Sequence, residues 1–162
     1  MKTGIFLSYK GIGANLLHLS YCHQIAKKFG PVSLITLCPN LDKVLKDDPN
    51  FSEVIFLDKF HKKFFDILKL SNFLKKFNFE NIFIFYPSIR HYLSSKIAGI
   101  KNIYHYPLFK KKNLHLVEAA KNFTEKSLNI KNCPTETNIE INISEAEKYK
   151  KNNLKKIVLG IS

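Results

Sequence analysis

The chain has 162 residues, 45% hydrophobic and 24% charged, which is enough to bury the core of one domain and too apolar for a disordered tract. Its net charge of +13 invites a polyanion: nucleic acid, an acidic membrane surface or a phosphorylated substrate. Of the 26 Lys and Arg residues only Arg90 is an arginine, which argues against base reading and leaves most of the charge as solvated lysine.

In chain order, Thr3–Ser8 reads as a strand and Ala14–Phe29 as one helix, with Leu16, Leu17, Tyr21 and Ile25 at helical spacing and "FGP" as its stop. Val32–Leu37 is a second strand, Leu41–Lys46 a short helix ended by "DDPN", and Val54–Leu57 a third strand. Phe60–Phe77 carries aromatics and leucines on one side and lysines on the other, an amphipathic helix. Ile82–Tyr86 is a near-continuously apolar fourth strand, as expected in a sheet covered on both faces. Arg90–Ala98 is a helix with Gly99 just past its end, followed by a strand at Ile103–Tyr106, a basic loop at Phe109–Asn113 and a helix at Leu114–Leu128. Beyond the linker "NIKNCPTET" come a weak strand at Ile139–Ile143, a capped helix start at Ser144 and a last strand at Lys156–Leu159. Alternating strands and helices give the α/β class: a mostly parallel sheet with helices on both faces. The apolar strand and glycine that close the chain read as the start of a further α/β unit.

The three cysteines, Cys22, Cys38 and Cys133, are widely spaced and read as reduced, intracellular thiols. The first apolar run is too short for a signal peptide, and no run reaches the roughly 18 residues of a membrane-spanning helix.

Chemistry is expected at the carboxyl ends of the strands. "SYKGIGANLLHLSYC" places Lys10, Gly11, Gly13 and Asn15 there, where glycines permit positive φ and close approach and a helix N-terminus favours an anion. It is no dinucleotide fingerprint, since Leu16 occupies the third glycine position and the second strand ends in Leu37-Cys38-Pro39 without an acid. It is no Walker loop either. Ser88, Arg90 and His91 follow the fourth strand at the same edge; Arg90 is either an anion contact or a surface arginine opening a helix. Lys110–Lys112 with His115 either grips phosphate or is a solvated run. His18, Cys22 and His23 cluster in sequence, but only two of them share a helix face, so packing is the expected role rather than metal binding. No nucleophilic triad and no carboxylate pair is visible.

Four blocks in order carry a resemblance to glycosyltransferase family 9, the lipopolysaccharide heptosyltransferases: "GIGANLLHLSYCHQIAKKFG", "SLITLCPNLDKVLKDDPNFSEVIFLD", "LKKFNFENIFIFYPSIRHYLSSKIAGI" and "LHLVEAA". The resemblance implies the N-terminal, Rossmann-like half of a GT-B fold, with residues 1–143 as acceptor-binding domain. It makes 144–162 the connection to a nucleotide-sugar-binding domain together with that domain's first strand. It implies inverting transfer of heptose from ADP-heptose to a phosphorylated, lipid-linked saccharide, without a required metal or resident cofactor. The setting would be cytoplasmic, at the anionic inner face of the membrane, and this part alone is expected to be inactive. Gly13 matches the family's loop glycine, and the next position, commonly an aspartate proposed as base, is Ala14, which accepts no proton. Arg90 falls near a basic residue thought to contact acceptor phosphate, and His115 and Glu118 match a His-x-Val-Glu block. The acceptor contacts expected are therefore Lys10, Gly11, Gly13, Asn15, Ser88, Arg90, Lys111 and His115, with the base unassigned. Two alternatives stand beside this reading: a non-catalytic relative that keeps acceptor binding, and a basic nucleic-acid module, which the single arginine disfavours.

Overall fold

The computed structural model describes residues 2–59, 65–107 and 114–137. Among these residues five strands form one parallel sheet: β1 (Thr3–Leu7), β2 (Val32–Thr36), β3 (Phe51–Phe56), β4 (Asn81–Ile84) and β5 (Asn102–His105), in the spatial order β3-β2-β1-β4-β5. The helices are α1 (Ile12–Leu16), α2 (Leu19–Phe29), α3 (Leu41–Val44), α4 (Asp66–Lys75), α5 (Ile89–Ile97) and α6 (Leu116–Leu128). This is a Rossmann-like α/β fold, as the alternation of elements requires.

The central strand shows why the apolar runs read as they do. Ile5 and Leu7 face a cluster built with Leu19, Cys22 and Ile25 of α2, Leu41 of α3 and Ala120, Phe123 and Leu128 of α6. Phe6, one residue between them, faces a second cluster with Ile35, Ile82 and Ile84 and with Leu70 and Leu74 of α4. Both faces of β1 are therefore buried, so no polar alternation survives. Each fully buried aliphatic or Phe side chain contributes roughly 1.5–3 kcal/mol. β4 and the residue after it add Phe83 and Phe85 to the first cluster, where Phe83 stacks on Tyr104 at 4.3 Å and Phe85 meets Phe123 edge-on at 4.9 Å.

Three expectations shift. The helix expected over Ala14–Phe29 starts earlier, at Ile12, and is broken into α1 and α2. At the break the His18 N–H bonds the Asn15 carbonyl three residues back, while the His18 ring Nδ1 lies 2.6 Å from the Ala14 carbonyl that the backbone N–H gave up. A side chain has taken over a helical hydrogen bond, so the two helices change course without leaving a carbonyl unpaired. β3 begins at Phe51 rather than Val54. Its first residues look polar because it is an edge strand: Glu53 accepts from the Ser33 hydroxyl at 2.7 Å and pairs with Lys2 at 2.9 Å. The helix expected from Phe60 is seen as α4; residues 60–64 lie outside the described residues, as do the Lys110–Lys112 run and the elements expected at 139–143, 144 onward and 156–159.

α2 stops at Gly30, whose φ of +83° a side-chain-bearing residue adopts only with strain.

Candidate functional site

The chain leaves β1 toward α1 and α2 on one face of the sheet and leaves β4 toward α5 on the other. The two connections diverge above adjacent strands, and that divergence opens the crevice where α/β sheets bind ligands. Its walls are the loop after β1, from Ser8, and the loop after β4, to Ser88. Tyr9 ties them: its hydroxyl donates to the Phe85 carbonyl at 3.0 Å. Burial, then the neighbouring Tyr86, push the Tyr9 hydroxyl up to about 12, so at neutral pH it is a donor and no base.

The glycine loop is held from beneath. Asn15 is fully buried; its amide donates to the Tyr9 carbonyl at 3.0 Å and the Gly11 carbonyl at 2.7 Å, and its oxygen accepts from the Thr36 hydroxyl at 3.1 Å. Thr36 in turn accepts from the Cys38 N–H at 3.0 Å, so one side chain locks the loops after β1 and β2 together. The amide is thereby committed to the protein's own backbone. Gly11 and Gly13 are exposed, and neither has positive φ. A Cβ added at either would meet nothing within 4 Å. Neither backbone strain nor packing demands these glycines; what they leave is bare backbone facing open space beside the exposed Lys10. α1 is only five residues long, so the anion-favouring helix dipole expected behind the loop is slight.

His18 lies beneath the loop with no exposed surface, stacked on Tyr9 at 4.8 Å and edge-on to Phe85 at 5.4 Å. Its ring donates through Nδ1 to the Ala14 carbonyl, and burial pulls its pKa below the ordinary imidazole value. Cys22 is buried in the same core, and burial, then Asp48, push its thiol far up. His23 points elsewhere, to Asp48 at 2.7 Å, so these three side chains do not converge.

On the β4 side Ser88 caps α5, its hydroxyl accepting from the His91 N–H at 3.4 Å. His105, from the end of β5, holds the Ser88 peptide: its Nε2 is 3.2 Å from the Ser88 N–H and 3.0 Å from the Ser88 carbonyl, and its tautomer decides which it engages. Arg90 is half-buried, and its Nε is shielded from solvent with no hydrogen-bond partner among the described residues. His91 is 3% exposed, stacks on Phe6 at 4.3 Å and puts Nδ1 3.2 Å from the Ser8 hydroxyl.

The fold places Lys10, Gly11 and Gly13 in and just after the loop following β1, and Ser88 and Arg90 after the adjacent β4, at the same end of the sheet, with Asn15 buried beneath the glycine loop. His115 stands apart, exposed at the start of α6 beyond β5, where its Nδ1 accepts the Val117 N–H at 3.4 Å as a helix cap. Lys111 lies outside the described residues. Sequence reasoning passed over Ser8 and Tyr9. The signal for Ser8 was parity: two residues after Phe6, it lies on the face that α5 covers. The signal for His91 was the Ser-x-x-His spacing, which puts its ring in the first turn of a helix capped by Ser88.

No family model and no curated protein sequence matches the chain. Among solved structures, the glycosyl transferase family 9 protein from Veillonella parvula DSM 2008 superposes with a TM-score of 0.64 at 15% identity, over 95% of this chain and 50% of that one. The likeness is one of fold, and the chain spans about half the length of that structure. No helix of the described residues is long and apolar enough to cross a membrane.

Proposed function

We propose that the chain is the acceptor-binding half of a glycosyltransferase. The reaction is inverting transfer of a sugar, heptose from ADP-heptose, to a phosphorylated, lipid-linked saccharide of the lipopolysaccharide core. The observation that carries this reading is the match of fold to a family 9 glycosyl transferase along 95% of the chain. The crevice agrees with it chemically. Bare glycine backbone lets a sugar approach closely, and Lys10 and Arg90 flank it with positive charge suited to an acceptor phosphate. A lipid-linked acceptor also suits the exposed apolar residues Ile12, Tyr86 and Ile89 in and beside the loops after β1 and β4.

In such a transfer the acceptor hydroxyl attacks the anomeric carbon opposite the departing nucleoside diphosphate. This half orients the acceptor, and orientation is worth several orders of magnitude in rate. The test supplies the protein at its full length with ADP-heptose and deep-rough lipopolysaccharide and follows the acceptor by mass. The expected result is a gain of one heptose; no transfer together with no binding of either ligand overturns the reading. The walls Ser8–Ala14 and Phe85–Arg90 contain no Asp or Glu, which favours one second reading, an acceptor binder without transfer. Acceptor binding with no transfer is its signature.

A further inference from the structure

Glycosyl transfer to a hydroxyl has to put a proton somewhere, and neither wall of the crevice offers a carboxylate. The titratable groups that are present can be sorted by geometry. Tyr9 already donates its hydroxyl proton to Phe85. His18 is sealed under the loop and uses Nδ1 on Ala14. His105 is spent on the Ser88 peptide. Beside these, a hydroxyl and an imidazole are in contact where β1 and β4 diverge: Ser8, half-buried just past the end of β1, and His91, nearly fully buried behind it. The Ser8 hydroxyl and His91 Nδ1 are 3.2 Å apart, the stack on Phe6 fixes the imidazole plane, and the Ser88 cap fixes the helical turn that carries it.

We infer that Ser8 and His91 form the proton path of the site, with Ser8 as the residue that touches the acceptor hydroxyl and His91 as the final proton acceptor. This rests on the glycosyltransferase reading and names the group that serves its chemistry. As the acceptor oxygen forms its bond to the anomeric carbon, its O–H bond breaks and the proton passes to Ser8 Oγ. The Ser8 proton moves to His91 Nδ1, leaving His91 as imidazolium. The bond from the anomeric carbon to the diphosphate breaks, and the nucleoside diphosphate departs with the electron pair. The proton returns to solvent by the reverse route once the product leaves. His91 needs its Nδ1 lone pair free to accept, so the resting ring carries its proton on Nε2. Buried as it is, His91 reaches the substrate only through Ser8, which explains why a serine stands at the crevice mouth.

The experiment uses the protein at its full length with ADP-heptose and deep-rough lipopolysaccharide. Ser8→Ala removes the intermediary, and His91→Asn keeps an acceptor for the Ser8 hydroxyl but takes up no proton. Both are expected to lower kcat roughly 10²–10⁴-fold with KM for the acceptor little changed, the span of general-base help. The solvent deuterium isotope effect of the wild type is expected to disappear in Ser8→Thr no more than partly and in Ser8→Ala fully. Adding Ala14→Asp to Ser8→Ala places a carboxylate on the same wall as Ser8 and is expected to return much of the lost rate, which a merely structural serine would not allow. Wild-type transfer with kcat undiminished in both single variants overturns the proton path and leaves the transferase reading standing. Loss of kcat with equal loss of thermal stability and no rescue by Ala14→Asp also overturns it. Absence of transfer by the wild type overturns both.

Discussion

His18 illustrates how one side chain serves architecture at a site without serving its chemistry. It replaces a helical hydrogen bond, fills the aromatic layer between Tyr9 and Phe85, and is held neutral by burial. His105 is held neutral in the same way. Folded pKa values lie below the unfolded value of 6.5 for both, so the unfolded chain binds protons first as pH falls. Their contribution to stability is complete above that value and is lost as pH drops below it. The melting temperature is expected to fall between about pH 7.5 and 5.5, and to fall less in His18→Asn, whose amide still reaches Ala14 but does not titrate. Equal slopes in thermal melts of the two proteins contradict this. At this scale the sequence was only partly legible. Asn15 was visible as a polar residue beside glycines, but its three bonds depend on Thr36, 21 residues away, and on carbonyls that only the folded loop presents. Ser8 and His91 lie 83 residues apart, and their contact exists only because β1 and β4 are neighbours.

The glycine loop shows the same limit one level up. Gly-x-Gly after a strand falls in the loop between β1 and α1 and opens α1, because strand ends and turn residues are local signals. The inference that its glycines serve positive φ does not hold, since neither adopts it. What the loop supplies is absence of side chains, and that separates folding from binding. Gly13→Ala, inside α1 with open space around the new methyl, is expected to change stability by no more than about 1 kcal/mol, in the stabilising direction. It is expected to weaken acceptor binding at least severalfold. Urea unfolding and calorimetric titration with deep-rough lipopolysaccharide measure the two separately, and unchanged affinity contradicts the proposed role. The three inner strands, β2, β1 and β4, were legible because both-face burial leaves long apolar runs, whereas the edge strands β3 and β5 are only partly buried. The break between α1 and α2 was not, because the apolar period runs straight through Leu16, Leu17 and Tyr21 while the change of course is made by a histidine.

At the scale of the molecule, large apolar side chains are exposed at the end of the sheet where the strands finish. Phe65, 87% exposed, opens α4 at the same end of the sheet as the crevice, and Leu68 one turn later is 63% exposed. Vesicles containing anionic lipid are expected to co-sediment the protein at low salt and release it as ionic strength rises, and Phe65→Ser with Leu68→Ser is expected to cut that binding severalfold without lowering the melting temperature. Binding equal to that of neutral vesicles contradicts a membrane-facing edge. The strand order carries a different consequence, one of timing. β1 precedes the other four described strands, yet it sits in the middle of the sheet, and its second neighbour, β4, begins 78 residues after it. Until β4 has left the ribosome, one whole edge of β1 has no strand to pair with, although Phe6 can already meet Ile35, Leu70 and Leu74 on its face. The nascent chain therefore carries an open strand edge until β4 closes against β1, and only after that can α5 and α6 cover the two faces of the sheet.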